Sequence, residues 1–142
     1  FKQKTAYEIG VRLVGSEMCI RDRTGRVSPE VMKKIIETAT VLAFPSTYEG
    51  FGLPVLEAMA AGVPVVVSSD TPAEEILNEP NLTVHPEDVQ GWARTLERVI
   101  LNKQERFEAA SQGLMRAEKY KWENSAEQLE RAWHQLLSRN NQ

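Results

Sequence analysis

Two carboxylates and two glycines lie close together in the middle of the chain, at Glu49, Gly50, Gly52 and Glu57. Glycine adopts backbone conformations that are unfavourable for other residues, and it lets a ligand approach the main chain. A carboxylate can accept hydrogen bonds from two neighbouring hydroxyl groups, as a ribose or another sugar presents them. The residue types in this segment therefore predict binding of a hydroxyl-rich ligand.

The residues that follow this cluster predict a short buried helix. Leu53 to Ala61 are apolar nearly all round, with Pro54 near the start and Gly62 just past the end. A helix with these features packs inside a domain, and glycine commonly follows its last turn. A short apolar run at 41–44 precedes the cluster and predicts a strand, so the cluster lies beyond the carboxyl end of that strand. Open α/β sheets bind their ligands at this edge.

The start of this helix predicts a phosphate site. The first N–H groups of a helix have no partner inside it and carry partial positive charge. We expect the amides of Gly52, Leu53 and Val55 to be the donors. With Glu57 in the first turn and Glu49 on the loop, a hydroxyl-rich group fits on each side of the phosphate. That arrangement indicates a nucleotide sugar.

The elements around this segment alternate between strands and helices. We predict buried parallel strands at 41–44, 65–68 and 82–84, and helices that begin at Pro29, Leu53 and Pro72. Ser28 is the predicted N-cap of the first helix. Thr71 and Glu74 have the spacing of a capping box for the third helix.

Three amphipathic helices are predicted after the last strand, because apolar residues recur there at helical spacing. The stripes are Val89, Trp92, Ala93, Leu96, Val99 and Ile100; then Phe107, Ala110, Leu114 and Ala117; then Ala126, Leu129, Trp133, Leu136 and Leu137. Three strands are fewer than an ordinary sheet contains. The pattern predicts an α/β chain: the second half of a doubly wound, Rossmann-like parallel-sheet domain, followed by C-terminal helices.

Composition excludes several classes of protein. Of the 142 residues, 42% are hydrophobic and 26% are charged, which is typical of a globular domain and not of a disordered or fibrous chain. The net charge is -3 with acids and bases mixed, so no nucleic-acid-binding face is expected. Cys19 is the only cysteine, which excludes an internal disulfide. No apolar run is long enough to span a bilayer. We expect a cytoplasmic location, with the complete protein at most peripheral at the inner face of a membrane.

The first 23 residues have a different character from the rest. Residues 1–23 have no clean helical or strand period, and they resemble translated sequencing-adapter sequence, a recurrent artefact in shotgun-derived sequences. The alternative is a genuine but irregular leader. Because the resemblance is long and close, we predict a non-native leader at 1–23, which packs on nothing, and a partial C-terminal nucleotide-sugar-binding domain at 24–142.

The stretch from Phe44 to Val66 closely resembles the donor-site motif of the group 1 (family 4) glycosyltransferases of the GT-B fold. That family is marked by two glutamates with seven residues between them, which Glu49 and Glu57 match. Weaker similarity extends from about Gly25 to the C-terminus. Its landmarks are the Gly25–Ser28 loop on the base side of the nucleotide, Glu75, Pro86–Asp88 and Lys121–Glu123.

The resemblance implies retaining transfer of a sugar from a nucleoside diphosphate sugar to an acceptor hydroxyl of a glycan, a lipid or a small molecule. It implies a catalytic role for Glu49, which would contact the donor sugar, and a ribose contact for Glu57. The remaining donor-binding residues would be Gly50, Phe51, Gly52, Leu53 and Val27. Members usually need no metal, so no metal site and no cofactor are expected. The nucleotide sugar would be a co-substrate.

Some features depart from the family pattern. The basic pair that clamps the phosphates in the family has no counterpart in this chain, so we expect these 142 residues alone to be inactive. His85 and Thr40 replace aspartates that are frequent in the family, and we interpret both as structural variation. Two alternatives stay open: a nucleotide-sugar epimerase of the same architecture, and a non-catalytic binding half-domain.

Overall fold

The structure, a computed structural model, describes residues 24–139. The predictions for residues 1–23 lie outside the described residues. In chain order the elements are α1 (Pro29–Thr38), β1 (Leu42–Phe44), α2 (Leu53–Ala60), β2 (Val65–Ser68), α3 (Pro72–Leu77), β3 (Thr83–Val84), α4 (Val89–Leu101), α5 (Lys103–Ala117) and α6 (Trp122–Arg139), with 3₁₀ turns at Pro80–Leu82 and Glu118–Tyr120.

The strands form a parallel sheet in the order β1-β2-β3. Phe44 pairs with Val67, and Ser68 with Val84, so the carboxyl ends of the strands align along one edge. All four residues of β2 are buried. Parallel strands joined by helices confirm the predicted α/β class, in which helices cover the faces of a parallel sheet.

The prediction that β1 is buried is wrong. Ala43 is exposed, and Leu42 and Phe44 are only half-buried. The strand pairs with β2 on one side, and within residues 24–139 no strand pairs with its other side. An apolar run predicts a strand, but its burial depends on neighbours that the run itself does not specify.

The core lies where α2 meets β2 and α5. Val55, Ala58 and Met59 on one face of α2 are buried, whereas Leu53 on the other face is more than half-exposed. The prediction of a helix buried in the domain therefore holds for one face of α2 and not for the other. Met59 packs against Gly113 of α5. A Cβ atom added to Gly113 would lie 3.4 Å from the Met59 Cγ.

The start of α1 follows the prediction. Ser28 is its N-cap, and the Ser28 hydroxyl accepts a hydrogen bond of 3.4 Å from the Val31 N–H. The Ser28 side chain also hydrogen-bonds the Glu30 carboxylate, which lowers the pKa of Glu30 from its ordinary value. A serine before a proline is thus a reliable sign of a helix start here.

The capping box at the start of α3 is a wrong prediction. The Thr71 hydroxyl donates to the Ser68 carbonyl at 2.9 Å and makes no capping bond. The Glu74 carboxylate accepts instead from the Asp70 N–H at 2.7 Å. Asp70 has a φ of 59°, so the chain turns sharply before the helix and presents a different amide to Glu74. The predicted helix and its Pro at the first turn are confirmed.

The three C-terminal helices form where predicted, but their apolar stripes are covered only in part. Val99 is buried and Trp92 and Leu96 pack against the core, whereas Val89 and Phe107 are largely exposed. The apolar residues of α6 are all exposed: Ala126, Leu129, Trp133, Leu136 and Leu137. Within residues 24–139, no helix combines the length and the apolar character that a membrane crossing requires.

We predict that Met59→Ala lowers the free energy of unfolding by about 2–5 kcal/mol, because a fully buried side chain would leave a cavity between α2 and α5. Met115→Ala is the matched control, since Met115 is exposed on α5, and its change should stay within about 0.5 kcal/mol. Urea unfolding monitored by circular dichroism measures both values. Equal losses for the two variants would contradict this account of the core.

Candidate functional site

The loop between β1 and α2 leaves the sheet at the carboxyl end of β1 and enters α2 through Gly52. Gly52 is the N-cap of the helix, with φ 99° and ψ 39°. A Cβ at this position would lie 3.4 Å from the Ala73 Cβ of α3. The backbone conformation, rather than lack of space, is what favours glycine here. The loop and the helix start therefore pack closely against α3.

The N–H groups at the start of α2 are fewer than predicted. The Val55 N–H donates to the Gly52 carbonyl at 2.9 Å, so the expectation that it is free for a ligand is wrong. Pro54 has no N–H. Among the residues described, the structure shows no acceptor for the N–H groups of Gly52 and Leu53. Two backbone donors thus stay open for an anion, where three were expected.

Glu49 is half-buried beside this helix start. One carboxylate oxygen, Oε2, lies 3.5 Å from the position that a Cβ on Gly52 would take. The other oxygen, Oε1, is buried and has no hydrogen-bond partner within residues 24–139. A buried carboxylate oxygen normally has a partner, because desolvation without one costs free energy. Glu49 is thus positioned to accept a hydrogen bond from a ligand.

Glu57 is exposed on the outer face of α2. The prediction that Glu57 lies in the first turn is wrong, because the helix begins at Leu53 and its first turn contains no acidic residue. Glu57 borders two open cavities, one of about 560 Å³ against α1 and one of about 590 Å³ against the junction of α5 and α6. Its carboxylate can therefore accept hydrogen bonds from a ligand in either cavity.

The remaining predicted residues fall in different places. Gly50 is exposed, with open space around its Cα and no positive φ, so its backbone does not require glycine. Phe51 and Leu53 are largely exposed and line the larger cavity. Val27 is half-buried before α1 and is not among the residues that line the two cavities beside Glu57. The structure brings Glu49, Phe51, Gly52 and Leu53 together along one loop.

Several residues at this edge were not predicted as site residues. Tyr120, Lys121 and Trp122 line the same cavity as Phe51 and Glu57. The Glu118 carboxylate hydrogen-bonds the Lys121 ammonium and, with its charge, raises the pKa of Lys121. Lys121 and Trp122 match a family landmark, which was the available signal, but the landmark alone did not place them beside the loop between β1 and α2.

Ser68 is a further residue that the sequence did not single out. It ends β2, is fully buried, and its Oγ has no hydrogen-bond partner among the residues described. A serine that ends an apolar strand shows no pattern from which this could be predicted. Within residues 24–139 there is also no group of three or more His, Cys, Asp or Glu side chains that could hold a metal ion.

We predict that Gly52→Ala destabilises the fold by about 1–2 kcal/mol, because an L side chain is strained at its positive φ. Gly50→Ala is the matched control on the same loop and should change the free energy of unfolding by less than about 0.5 kcal/mol. Urea denaturation of both variants gives the comparison. If the two alanines had the same effect, the left-handed conformation at Gly52 would not be what requires glycine.

Comparisons with known proteins identify the family. The family model described as Glycosyl transferases group 1 matches residues 22–114. O-antigen chain mannosyltransferase B of Escherichia coli is 36% identical over 112 residues, covering 79% of this chain and 29% of that protein. D-inositol 3-phosphate glycosyltransferase of Corynebacterium urealyticum is 36% identical over 110 residues, covering 76% of this chain and 26% of that protein.

A solved structure shares the fold. Sucrose-phosphate synthase from Thermosynechococcus elongatus superposes with a TM-score of 0.70 at 29% sequence identity, over 80% of this chain and 29% of that one. The chain thus spans less than a third of the length of each of these proteins. The GT-B architecture expected from the donor-site motif is confirmed, and the chain belongs to the group 1 glycosyl transferases.

Proposed function

We propose that the complete protein transfers a sugar from a nucleoside diphosphate sugar to an acceptor hydroxyl with retention of anomeric configuration, and that this chain binds the donor. Membership of the group 1 family supports glycosyl transfer. The two relatives described above are named as a mannosyltransferase and a glycosyltransferase, and neither is named as an epimerase. The acceptor is a hydroxyl group of a glycan, a lipid or a small molecule.

The observation that supports this proposal most directly is the unpartnered Oε1 of Glu49. Leaving a buried acceptor unsatisfied costs about 1–3 kcal/mol, and more for a charged group. Such a cost is typical of a functional site, where a ligand supplies the missing partner. A sugar hydroxyl is a suitable donor for this oxygen. Glu49 is therefore the residue that we assign to the donor sugar.

The phosphates belong at the start of α2. The open N–H groups of Gly52 and Leu53 lie at the end of the same loop, at the positive end of the helix dipole. During transfer, the bond between the anomeric carbon and the phosphate oxygen breaks, and its electron pair stays on the diphosphate. The anomeric carbon bonds to the acceptor oxygen, whose proton is released. The two amides stabilise the charge that develops on the leaving group.

Glu57 lies further along α2 and would hold the ribose. Its exposed carboxylate borders the cavity of about 560 Å³ against α1, and we assign the nucleoside to this cavity because the loop expected on the base side of the nucleotide leads into α1. We assign no metal ion to the reaction, since the helix amides supply electrostatic stabilisation and the family usually needs none. Within this chain, the transfer step then depends on Glu49 and on the amides of α2.

We predict that Glu49 and Glu57 have separable roles in the complete protein. Glu57→Ala should weaken binding of the nucleoside diphosphate about ten- to hundredfold, because a hydrogen bond to a charged group is worth about 1.5–3 kcal/mol. Glu49→Ala should lower the transfer rate and leave the affinity for the nucleoside diphosphate nearly unchanged, since the nucleoside diphosphate lacks the transferred sugar that Glu49 would contact. Calorimetry and steady-state kinetics measure the two effects.

Glu97→Ala is the control for this pair, because Glu97 is exposed on α4, away from the donor loop. It should leave both affinity and rate unchanged. If Glu49→Ala weakened diphosphate binding as strongly as Glu57→Ala, the assignment of the two carboxylates to opposite sides of the phosphate would be wrong.

We predict that these 142 residues alone have no transferase activity. They span less than a third of the relatives' length, and the basic pair that the family resemblance implies for the phosphates has no counterpart among them. Incubation of the isolated chain with a panel of nucleoside diphosphate sugars and simple acceptors should give no product above the level of a Glu49→Ala control. Turnover that depends on Glu49 would show that this part of the protein is sufficient.

A further inference from the structure

The loop that holds Glu49 is held in place with few hydrogen bonds. Among the residues described, no hydrogen bond joins residues 45–51 to another helix or strand. Inside this segment, the Ser46 hydroxyl donates to the Tyr48 carbonyl at 3.0 Å. Gly50 has open space around it, and the Tyr48 side chain is almost fully exposed. Side-chain packing must therefore set the position of this loop.

Phe51 makes the aromatic contact that anchors the loop. Its ring meets the ring of Tyr120 edge to face, with centroids 6.1 Å apart and an interplanar angle of 71°. This geometry is favourable for an aromatic pair. Phe51 lies two residues after Glu49 and directly before Gly52. A shift of the Phe51 ring would thus move the backbone on which Glu49 stands.

Hydrogen bonds hold the backbone turn that carries Tyr120. This residue ends the 3₁₀ turn Glu118–Tyr120, which continues from α5. The Asn124 amide donates to the carbonyls of Glu118 and Lys119, both at 3.2 Å, and Lys121 pairs with Glu118. The helix α5 packs in turn on α2, the helix that the loop enters. The backbone that carries Tyr120 is therefore tied to α5, which packs on α2, and the partly exposed Tyr120 ring extends from it to Phe51.

We propose that Tyr120 is a positioning residue for the transfer reaction: its ring holds Phe51, and through Phe51 it fixes the loop that carries Glu49. This role rests on the proposed function of Glu49. Tyr120 lines the cavity against the junction of α5 and α6 and not the cavity against α1, so in this assignment it contacts neither the transferred sugar nor the nucleotide. Its hydroxyl makes no hydrogen bond to the residues described, so the aromatic ring is the part of Tyr120 that contacts Phe51.

The test uses the full-length protein that contains this chain, with Tyr120→Ala, Tyr120→Phe, Phe51→Ala and the double variant of both alanines. Tyr120→Ala should lower kcat roughly three- to tenfold, the range expected for loss of an aromatic pair, with diphosphate affinity changed less than about twofold. Tyr120→Phe should restore kcat, because it keeps the ring. In a Phe51→Ala background, Tyr120→Ala should cause little further loss, since both act through one contact.

A second measurement does not depend on the reaction. Limited proteolysis with chymotrypsin, with cut sites found by mass spectrometry, reports how often the loop opens at Tyr48 and Phe51. Cleavage after Tyr48 should rise at least about threefold in Tyr120→Ala and stay at the wild-type level in Tyr120→Phe. Phe107→Ala is the control, because Phe107 is an exposed aromatic residue on α5 outside the cavity beside the loop.

The outcomes separate the two proposals. If wild-type protein transfers no sugar, the proposed function fails, and the cleavage after Tyr48 still decides whether Tyr120 holds the loop. If transfer depends on Glu49 but Tyr120→Ala matches the wild type in kcat and in cleavage, the positioning role is overturned. The role is also overturned if the two alanine effects simply add, or if Tyr120→Ala weakens diphosphate binding as much as it lowers kcat.

Discussion

The packing of α2 between β2, α3 and α5 is the contact on which both the core and the candidate site depend. Burial of Val55, Ala58 and Met59 fixes the rotation of this short helix about its axis. Once that face is committed to the core, Glu57 must face outward, and the helix start must point to the carboxyl edge of the sheet. The same hydrophobic burial that stabilises the domain therefore also orients the side chains of the candidate site.

The fold was predictable wherever local pattern and tertiary environment agree. β2 is a run of three valines and a serine, and it is buried on both faces as such runs predict. The stripe of α6 is equally clear in the sequence, yet its apolar residues are exposed, because no element within residues 24–139 covers them. A periodic pattern identifies a helix and its apolar face, but it does not show which surface, if any, packs against that face.

The loop and the helix start at the candidate site were predictable, whereas their hydrogen bonds were not. The pattern of Gly50, Gly52 and Pro54 predicted a loop followed by a helix start, and the structure contains both. It could not show that the Val55 amide is used within the helix, because that depends on how tightly the first turn winds. The contact between Phe51 and Tyr120 joins distant parts of the chain, and no local pattern signals it.

The close approach of α5 to α2 restricts what can replace either partner. Gly113 leaves room for Met59, and an added methyl group would meet its Cγ at 3.4 Å and its Cα at 3.7 Å. Volume at these two positions is shared between the helices, so a larger residue at one requires a smaller residue at the other. Among homologous proteins the two positions should covary in size, and a pair that is large at both would have to hold α2, and the loop before it that carries Glu49, further from α5.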